Sequence, residues 1–226
     1  MTLPEWYHFI AGDVVTVPDT APDQVLLAEF RADPKAHPLP TPSGRIELFC
    51  NAIAAMGLAD CPGHATYFPP RDVVAGEGPL YLLSGQPGTR LHSQLDNGAY
   101  SLSQKVRGRE AVLIHPEDAE VRGIEDGDIV ELSNSRGACL AGARVTDQIR
   151  QGCVFLWTGA WWDPDFSQPH MRCRHGNPNA LTHDVRSSSF SQSPASHSAR
   201  VEMRRFNGTP PDVQAHQPPA ISRRDD

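Results

Sequence analysis

The stretch SGQPGTRLHSQ, residues 84–94, gathers groups that could hold a polar ligand. Gly85 and Gly88 allow the backbone to approach a ligand closely, and the planar guanidinium of Arg90 suits phosphate or carboxylate groups. The other polar side chains supply hydrogen-bond donors and acceptors without net charge; they are Ser84, Gln86, His92, Ser93 and Gln94. Glycine and proline are also common in an ordinary turn between two strands, which is the alternative for this stretch taken alone.

Motifs for hydrolytic, metal and common nucleotide chemistry are missing from the sequence. His92, Ser93 and Asp96 are triad residue types, but triad members normally come from separate elements, and no GxSxG elbow occurs. The ten histidines include no HExxH motif and the five cysteines no CxxC pair. Neither GxxxxGK[ST] nor GxGxxG is present. The residues therefore predict no catalytic group and no metal ligand on this chain.

Two further segments could face a ligand. Trp157 reads as a core residue at the end of a strand, whereas Trp161 and Trp162 could wall a cofactor or face another domain. Asn179, in HGNPN, and Gln192, in SSSFSQS, could read the edges of a heterocycle. Turn chemistry explains the same asparagines and serines equally well.

The elements that must position these residues are mostly short strands. The pattern predicts strands at 80–84, 111–115, 128–133, 138–145, 153–157 and 199–204. Pro116 and the acids after it predict a short helix that ends at Gly123. Earlier, Arg45 to Phe49 alternates as a half-buried strand does, and 51–57 predicts a short helix. Many short strands with few helices favour a β-barrel or sandwich.

Composition bounds the remaining possibilities. The chain has 226 residues, a formal charge of −7, 21 prolines and 18 glycines. The sequence has no basic patch of the kind that binds nucleic acid, so nucleic acid is not an expected partner. No apolar run is long enough to cross a membrane. The first thirty residues contain no secretion signal. We expect a partial, irregular N-terminal segment at 1–78, a β-barrel at 79–206 and a disordered, proline-rich tail at 207–226.

The order of the motifs resembles one family. SGQPGTRLHSQ follows a strand; then come GREAVLIHPEDAEVRGIEDGDIVEL, SNSRGACLAGARVTDQIRQGCVFLWTGAWWDP, HGNPNALT and SQSPASH. Upstream, LLAEFRADPKAHPLPTPSGRIELF and DCPGH match as well. The chain is similar, over about residues 23–205, to the C-terminal domain of the dimethyl-sulfoxide reductase class of molybdopterin oxidoreductases. Within that class it most resembles the biotin sulfoxide and trimethylamine-N-oxide reductases.

The resemblance implies a mainly-β chain with short helices, built as a double-psi β-barrel. It implies binding of the bis(molybdopterin guanine dinucleotide) molybdenum cofactor in an enzyme that reduces S- or N-oxides. The metal ligand and most guanine and pyrophosphate contacts would come from earlier domains, which are the implied partners, so the isolated chain should be inactive. The implied cofactor contacts are Ser84, Gln86, Arg90, His92, Ser93, Gln94, Asn179 and Gln192.

Relatives often carry histidine where this chain has Gln86. A cytoplasmic or periplasmic location is implied, with the cytoplasm favoured. The exact oxide and the electron donor stay open, as does whether the chain is a truncated gene, a fragment or a split subunit. A free-standing cofactor carrier or chaperone and a non-catalytic barrel that serves as an interaction module are the alternative functions.

Overall fold

The fold is known from a computed structural model that describes residues 6, 11–12, 23–167 and 171–218. Eight strands form one sheet, of which six are longer than two residues. They are β1 (Leu80–Leu83), β2 (Ala111–Ile114), β3 (Ile129–Asn134), β4 (Gly137–Val145), β5 (Cys153–Leu156), β6 (Pro164–Asp165), β7 (Arg172–Cys173) and β8 (Arg200–Arg205).

The six longer strands close into a barrel in the order β2-β5-β1-β8-β3-β4, because β2 also pairs with β4. The pairs β1–β5 and β2–β4 are parallel, whereas the other pairs around the barrel are antiparallel. The short strands β7 and β6 extend the sheet beyond β4. The expected fold class, a mainly-β chain built on a double-psi barrel, is confirmed.

The barrel interior is filled by apolar side chains from every long strand. In β1, Leu80 and Leu82 are buried while Tyr81 and Leu83 face outward, the alternation expected of a strand with one covered face. In β4 the first seven residues are all buried, because this strand pairs with β3, β2 and β7. The core is therefore continuous, and the predicted strand positions agree with the observed ones to within one or two residues.

Short helices accompany the barrel: α1 (Ala28–Ala32), α2 (Asn51–Ala54), α3 (Arg71–Ala75), α4 (Ala99–Ser103) and α5 (Pro116–Glu120). Helix α5 begins as predicted, with Pro116 in its first turn and Glu117 and Asp118 at its positive end. His115 caps it by accepting a hydrogen bond from the backbone N–H of Glu117. Within the described residues, no helix combines the length and the apolarity that crossing a membrane requires.

The segment before the barrel differs from the prediction at one element. The expected strand from Arg45 to Phe49 does not form. Ile46 and Leu48 are 65% and 86% exposed, and no other described strand lies beside this segment to accept its backbone hydrogen bonds. Alternation alone cannot make a strand without a pairing edge, so this prediction was wrong.

A buried carboxylate joins this segment to the barrel. Asp72 in α3 is 1% exposed and accepts two hydrogen bonds from the guanidinium of Arg136. It also accepts the backbone N–H of Arg200 at 2.7 Å and contacts Nε2 of His183. Burial alone would raise the pKa of Asp72, but these partners lower it. The ion pair therefore fixes α3 against the hairpin between β3 and β4.

The C-terminal tail, for which the sequence predicts disorder from residue 207, has polar contacts with the barrel at residues 211–216. Arg109 donates a hydrogen bond to the carbonyl oxygen of Pro211. Asp163 accepts the backbone N–H groups of Gln214 and Ala215 at 2.7 and 3.2 Å. Residues 211–216 are thus held by polar contacts, and none of them is fully buried. Residues 219–226 of the predicted tail lie outside the described part of the chain.

Candidate functional site

A polar cleft of about 490 Å³ opens at one edge of the barrel. It is formed by the loops after β1 and β5 and by the turn around Pro178. Because β1 and β5 are parallel neighbours, their carboxyl ends leave the barrel at the same edge, which brings the two loops together. The lining residues are Gln86, His92, Ser93, Thr158, Gly159, Ala160, Trp161, Trp162, Asn177 and Asn179.

Four of the predicted site residues line this cleft. Gln86, His92, Ser93 and Asn179 come together although about ninety residues of sequence separate the first from the last. The amide nitrogen of Gln86 lies 3.0 Å from Nδ1 of His92 and donates to it, which leaves the proton of the neutral imidazole on Nε2. The cleft therefore presents paired donors and acceptors, and its lining contains no acidic side chain.

The backbone of His92 is held in an unusual conformation. Its φ is 54°, in the left-handed region that non-glycine residues rarely adopt. A tight turn in which Gln94 N–H bonds to the Leu91 carbonyl encloses it. On the other side, a Cβ on Gly159, whose φ is 85°, would lie 2.0 Å from the carbonyl oxygen of His92. The loops touch so closely that residue 159 must be glycine.

Arg90 does not line the cleft. Its side chain is 1% exposed and lies behind the loop, with Nη2 3.0 Å from Oε2 of Glu110 and Nε 3.5 Å from Oδ1 of Asp96. The same guanidinium donates to the carbonyl oxygen of Thr158 at 2.7 Å and to Ser101 Oγ at 3.3 Å. The cation expected to meet phosphate thus supports a loop that forms the cleft wall.

The other three predicted residues lie at different places. Oγ of Ser84 is buried at the end of β1 and has no hydrogen-bond partner among the described residues. Gln94 is exposed in the turn after His92 but is not part of the cleft lining. Gln192 is exposed in a loop closed by a bridge between Arg186 and Pro194. Their proposed contacts with a cofactor stay predictions.

A buried ionic cluster supports the cleft from below. The ammonium of Lys105 lies 2.8 Å from Oδ1 of Asp96 and 2.9 Å from Oε2 of Glu110, so two cations face two carboxylates once Arg90 is included. Burial alone would raise the pKa of Asp96, but hydrogen bonds from Lys105, His216 and the Trp161 N–H lower it to about 2. Asp96 is therefore ionised at neutral pH and orients the loop through Trp161.

His175 completes this cluster as a neutral group. Desolvation lowers its pKa to about 4, and the nearby charge of Lys105 acts in the same direction. Nδ1 lies 3.2 Å from the carbonyl oxygen of Trp161 and donates to it, while Nε2 is buried without a hydrogen-bond partner among the described residues. The imidazole of His175 thus fixes the backbone carbonyl of Trp161, while Asp96 accepts the backbone N–H of Trp161 at 3.0 Å.

Asp96, His175 and His216 have the residue types of a metal site, with one possible ligand atom from each within 4.8 Å of the others. Their contacts favour a hydrogen-bond network instead. Oδ2 of Asp96 already accepts from Trp161 N–H and from Nε2 of His216, each at 3.0 Å. Oδ1 faces the ammonium of Lys105, so positive charge already occupies that side.

A second cleft of about 500 Å³ lies beside the first. The two clefts share Trp162, Asn177 and Asn179, and the second is completed by Arg136, Met171, Ala180, Thr182 and Asp184. Trp162 is 40% exposed, so its ring faces both clefts and solvent. Together they form an elongated groove with an aromatic side chain in the middle, which suits a ligand with a planar ring and a long polar extension.

A further cleft of about 520 Å³ has a different character. Its walls include Glu131, Arg172, Arg204 and Phe206. Both guanidinium groups pair with Glu131, at 3.0 and 2.7 Å, and Arg172 also pairs with Asp165 at 2.5 Å. The charges of Arg172 and Arg204 are thus paired within the protein, whereas the lining of the first cleft contains no Lys, Arg, Asp or Glu.

Several residues of the groove were not singled out from the sequence. Asn177 donates from Nδ2 to the carbonyl oxygen of Ala160 at 2.8 Å and accepts the N–H of Asn179. Thr158 and Gly159 form the wall beside His92. Glycine directly after a strand and asparagine in HGNPN were the available signals, but neither residue type shows which partner it meets.

Comparison with known proteins agrees with this geometry. The family model described as "Molydopterin dinucleotide binding domain" matches residues 80–200, which span the barrel from β1 to the start of β8. Among solved structures, acetylene hydratase from Pelobacter acetylenicus aligns with a TM-score of 0.57 at 15% identity, over 77% of this chain and 25% of that one. The likeness to that structure is one of fold alone.

Curated relatives are reductases of small oxides. The chain is 46% identical over 194 residues to the biotin sulfoxide reductase of Cereibacter sphaeroides, covering 84% of this chain and 26% of that protein. It is 40% identical over 206 residues to the trimethylamine-N-oxide reductase of Haemophilus influenzae, covering 89% and 25%. This chain thus spans about a quarter of the length of the relatives it matches. The resemblance seen in the motifs is confirmed, and the chain belongs to the family of molybdopterin dinucleotide-binding domains.

Proposed function

We propose that this chain binds molybdopterin guanine dinucleotide in the groove at the barrel edge, as part of a longer molybdenum oxidoreductase that reduces S- or N-oxides. The observation that carries the binding proposal is the neutral, hydrogen-bonding cleft that parallel strands β1 and β5 build. The names of the relatives support the oxide class. Because the chain spans a quarter of those proteins, the remaining domains are the proposed partners.

The residues present fit a reduced pterin. Such a ring system has N–H, amino and carbonyl groups that need directional partners, and amide, imidazole and hydroxyl side chains supply both donors and acceptors. The side chain of Asn179 makes no hydrogen bond within the described residues and is free to read a ring edge. The orphaned Oγ of Ser84 lies at the base of the same loop. An anionic ligand meets no carboxylate in the first cleft.

The chain's own contribution is to bind and orient the ligand. The bond from Gln86 to His92 leaves the Nε2–H of His92 to donate outward, and Trp162 offers a ring face beside Asn177 and Asn179. When bound, the cofactor supplies two-electron oxygen-atom transfer chemistry. No residue of the groove is assigned as a metal ligand, so that function falls to the partner domains.

Binding can be tested on the chain itself. Molybdenum-free pterin guanine dinucleotide, released from a reductase of this class, should quench tryptophan emission saturably, because Trp161 and Trp162 line the groove. His92→Ala and Asn179→Ala should each weaken binding by about two- to tenfold, the loss of one hydrogen bond. Gln148→Ala, at an exposed position outside the groove, is the matched control.

Activity gives a separate test. The isolated chain should show no oxide reduction with a reduced viologen donor above a metal-free control. Turnover by the chain alone would contradict the assignment of the metal ligand to partner domains. Failure of the wild-type chain to bind the dinucleotide would instead favour a non-catalytic interaction module.

A further inference from the structure

The C-terminal tail reaches the same loop that forms the wall of the proposed site. Residues 211–216 are held by Arg109, which donates to the carbonyl of Pro211, and by Asp163, which accepts the N–H groups of Gln214 and Ala215. Arg109 lies just before β2 of the barrel, and Asp163 lies just before β6, which extends the sheet beyond β4. These contacts place the tail against the barrel surface from Pro211 to His216.

His216 meets Trp161 in two ways. Its Nε2 lies 3.0 Å from Oδ2 of Asp96, the same oxygen that accepts the N–H of Trp161 at 3.0 Å. Asp96 is fully buried and ionised, so it can only accept, and Nε2 of His216 carries the proton. The imidazole also packs edge-on against the indole of Trp161, with ring centroids 5.3 Å apart.

Trp161 is also held through its backbone carbonyl, which accepts from His175, and through its indole N–H. Its indole N–H donates to the carbonyl oxygen of Ser93 at 2.7 Å, and Ser93 is itself part of the cleft lining. The ring thus lies between the tail and the loop that follows β1. Removing the imidazole of His216 opens one side of the indole and deletes one of the hydrogen bonds of Asp96.

We propose that residues 211–216 are a strap that completes the cofactor groove, with His216 as the residue that positions Trp161. This inference rests on the proposed function, since it assigns a role at that same site. The strap lies beyond residues 80–200, the span that the family model matches. It makes the groove depend on a contact between residues 120 positions apart in the sequence.

The test separates the strap from the binding proposal. In the ligand-free chain, the emission of Trp161 is isolated as the difference between each variant and the same variant carrying Trp161→Phe. His216→Ala should make this component about twofold more accessible to acrylamide. His216→Gln, whose Nε2 can donate from nearly the same place, should restore most of the protection. Gln217→Ala, exposed beside the strap, should change nothing.

Binding of pterin guanine dinucleotide is then measured on the same variants. His216→Ala should raise the dissociation constant about three- to tenfold, and His216→Gln should recover most of the affinity. Unchanged quenching of Trp161 in His216→Ala overturns the strap, whatever happens to the melting temperature. If the wild-type chain fails to bind while the quenching changes as expected, the proposed ligand is wrong and the positioning of Trp161 by His216 is supported.

Discussion

Arg90 donates from Nη2 to the carbonyl oxygen of Thr158 over 2.7 Å, across 68 residues of sequence. The contact joins the loop after β1 to the loop after β5 from within the protein, while His92 and Gly159 join them at the surface. The same buried cluster therefore supports both loops that form the cleft. Substitutions in that cluster should therefore alter the groove, although the substituted side chains do not line it.

Arg90→Ala should destabilise the fold. The substitution removes one cation from a buried set in which Glu110 and Asp96 are 5% and 0% exposed, and breaking a buried ion pair costs about 3–5 kcal/mol. Urea unfolding checks this, with Arg31→Ala, an exposed arginine in α1, expected to stay within about 0.5 kcal/mol of wild type. Unchanged stability combined with lost dinucleotide binding would show that Arg90 reaches the ligand directly.

Gly159→Ala should distort the cleft. A Cβ there would meet the carbonyl oxygen of His92 at 2.0 Å, in addition to the strain of a positive φ. Gly152→Ala is a matched control, because Gly152 has a φ of 80° and open space around its Cβ position. The control should lose only about 1–2 kcal/mol of stability, and Gly159→Ala should lose more and bind the dinucleotide more weakly. Equal losses in both variants would mean that the two loops do not touch.

Stability should fall as the pH drops from 6.5 to about 4. The folded chain holds His175 neutral because its pKa is lowered to about 4, whereas the unfolded chain takes up a proton near 6.5. His175 therefore leaves the free energy of unfolding unchanged above pH 6.5 and lowers it progressively as the pH falls to 4, by about 3 kcal/mol in all. Asp96, with a pKa of about 2, adds its own loss only below pH 3.8.

Urea unfolding at several pH values measures that slope. His175→Asn keeps a donor near the position of Nδ1 and cannot titrate, so its free energy of unfolding should depend less on pH in this window. His197→Gln, at an exposed position, should keep the wild-type slope. A slope that survives in His175→Asn would assign the titration to another group.

Asp72→Ala should loosen the segment before the barrel. The change leaves Arg136 and the N–H of Arg200 without their carboxylate, and hydrogen bonds to charged groups contribute about 1.5–3 kcal/mol. Limited proteolysis should cut between residues 23 and 78 faster than in wild type. Asp23→Ala, at an exposed position, is the control, and equal cleavage rates in both variants would contradict the anchoring role.

The sequence was most informative where a local pattern decides the structure. The apolar run at residues 80–83 and the proline at the start of α5 are local signals, and the strand and the helix appear where they predict. The alternation from Arg45 to Phe49 failed because a strand also needs a partner edge.

The parts that could not be predicted depend on distant partners. Arg90 has the chemistry of a phosphate ligand, but Glu110, Thr158 and Ser101 surround it in the fold. The tail has the composition of a disordered segment, yet Asp163 and Asp96 accept hydrogen bonds from it. Nothing in a single sequence connects these partners, whose separations along the chain range from 11 to 120 residues.

The place of β8 in the barrel has a consequence for how the protein is made. This last strand lies between β1 and β3, so the cylinder stays open until residues 200–205 have left the ribosome. Arg200 donates a hydrogen bond to the carbonyl of Gly78, 122 residues away. Contacts between residues so far apart in the sequence raise the contact order of the fold, which slows folding. Until β8 is synthesised, the edges of β1 and β3 that pair with it stay unpaired. These edges expose the nascent chain to aggregation and to chaperone binding.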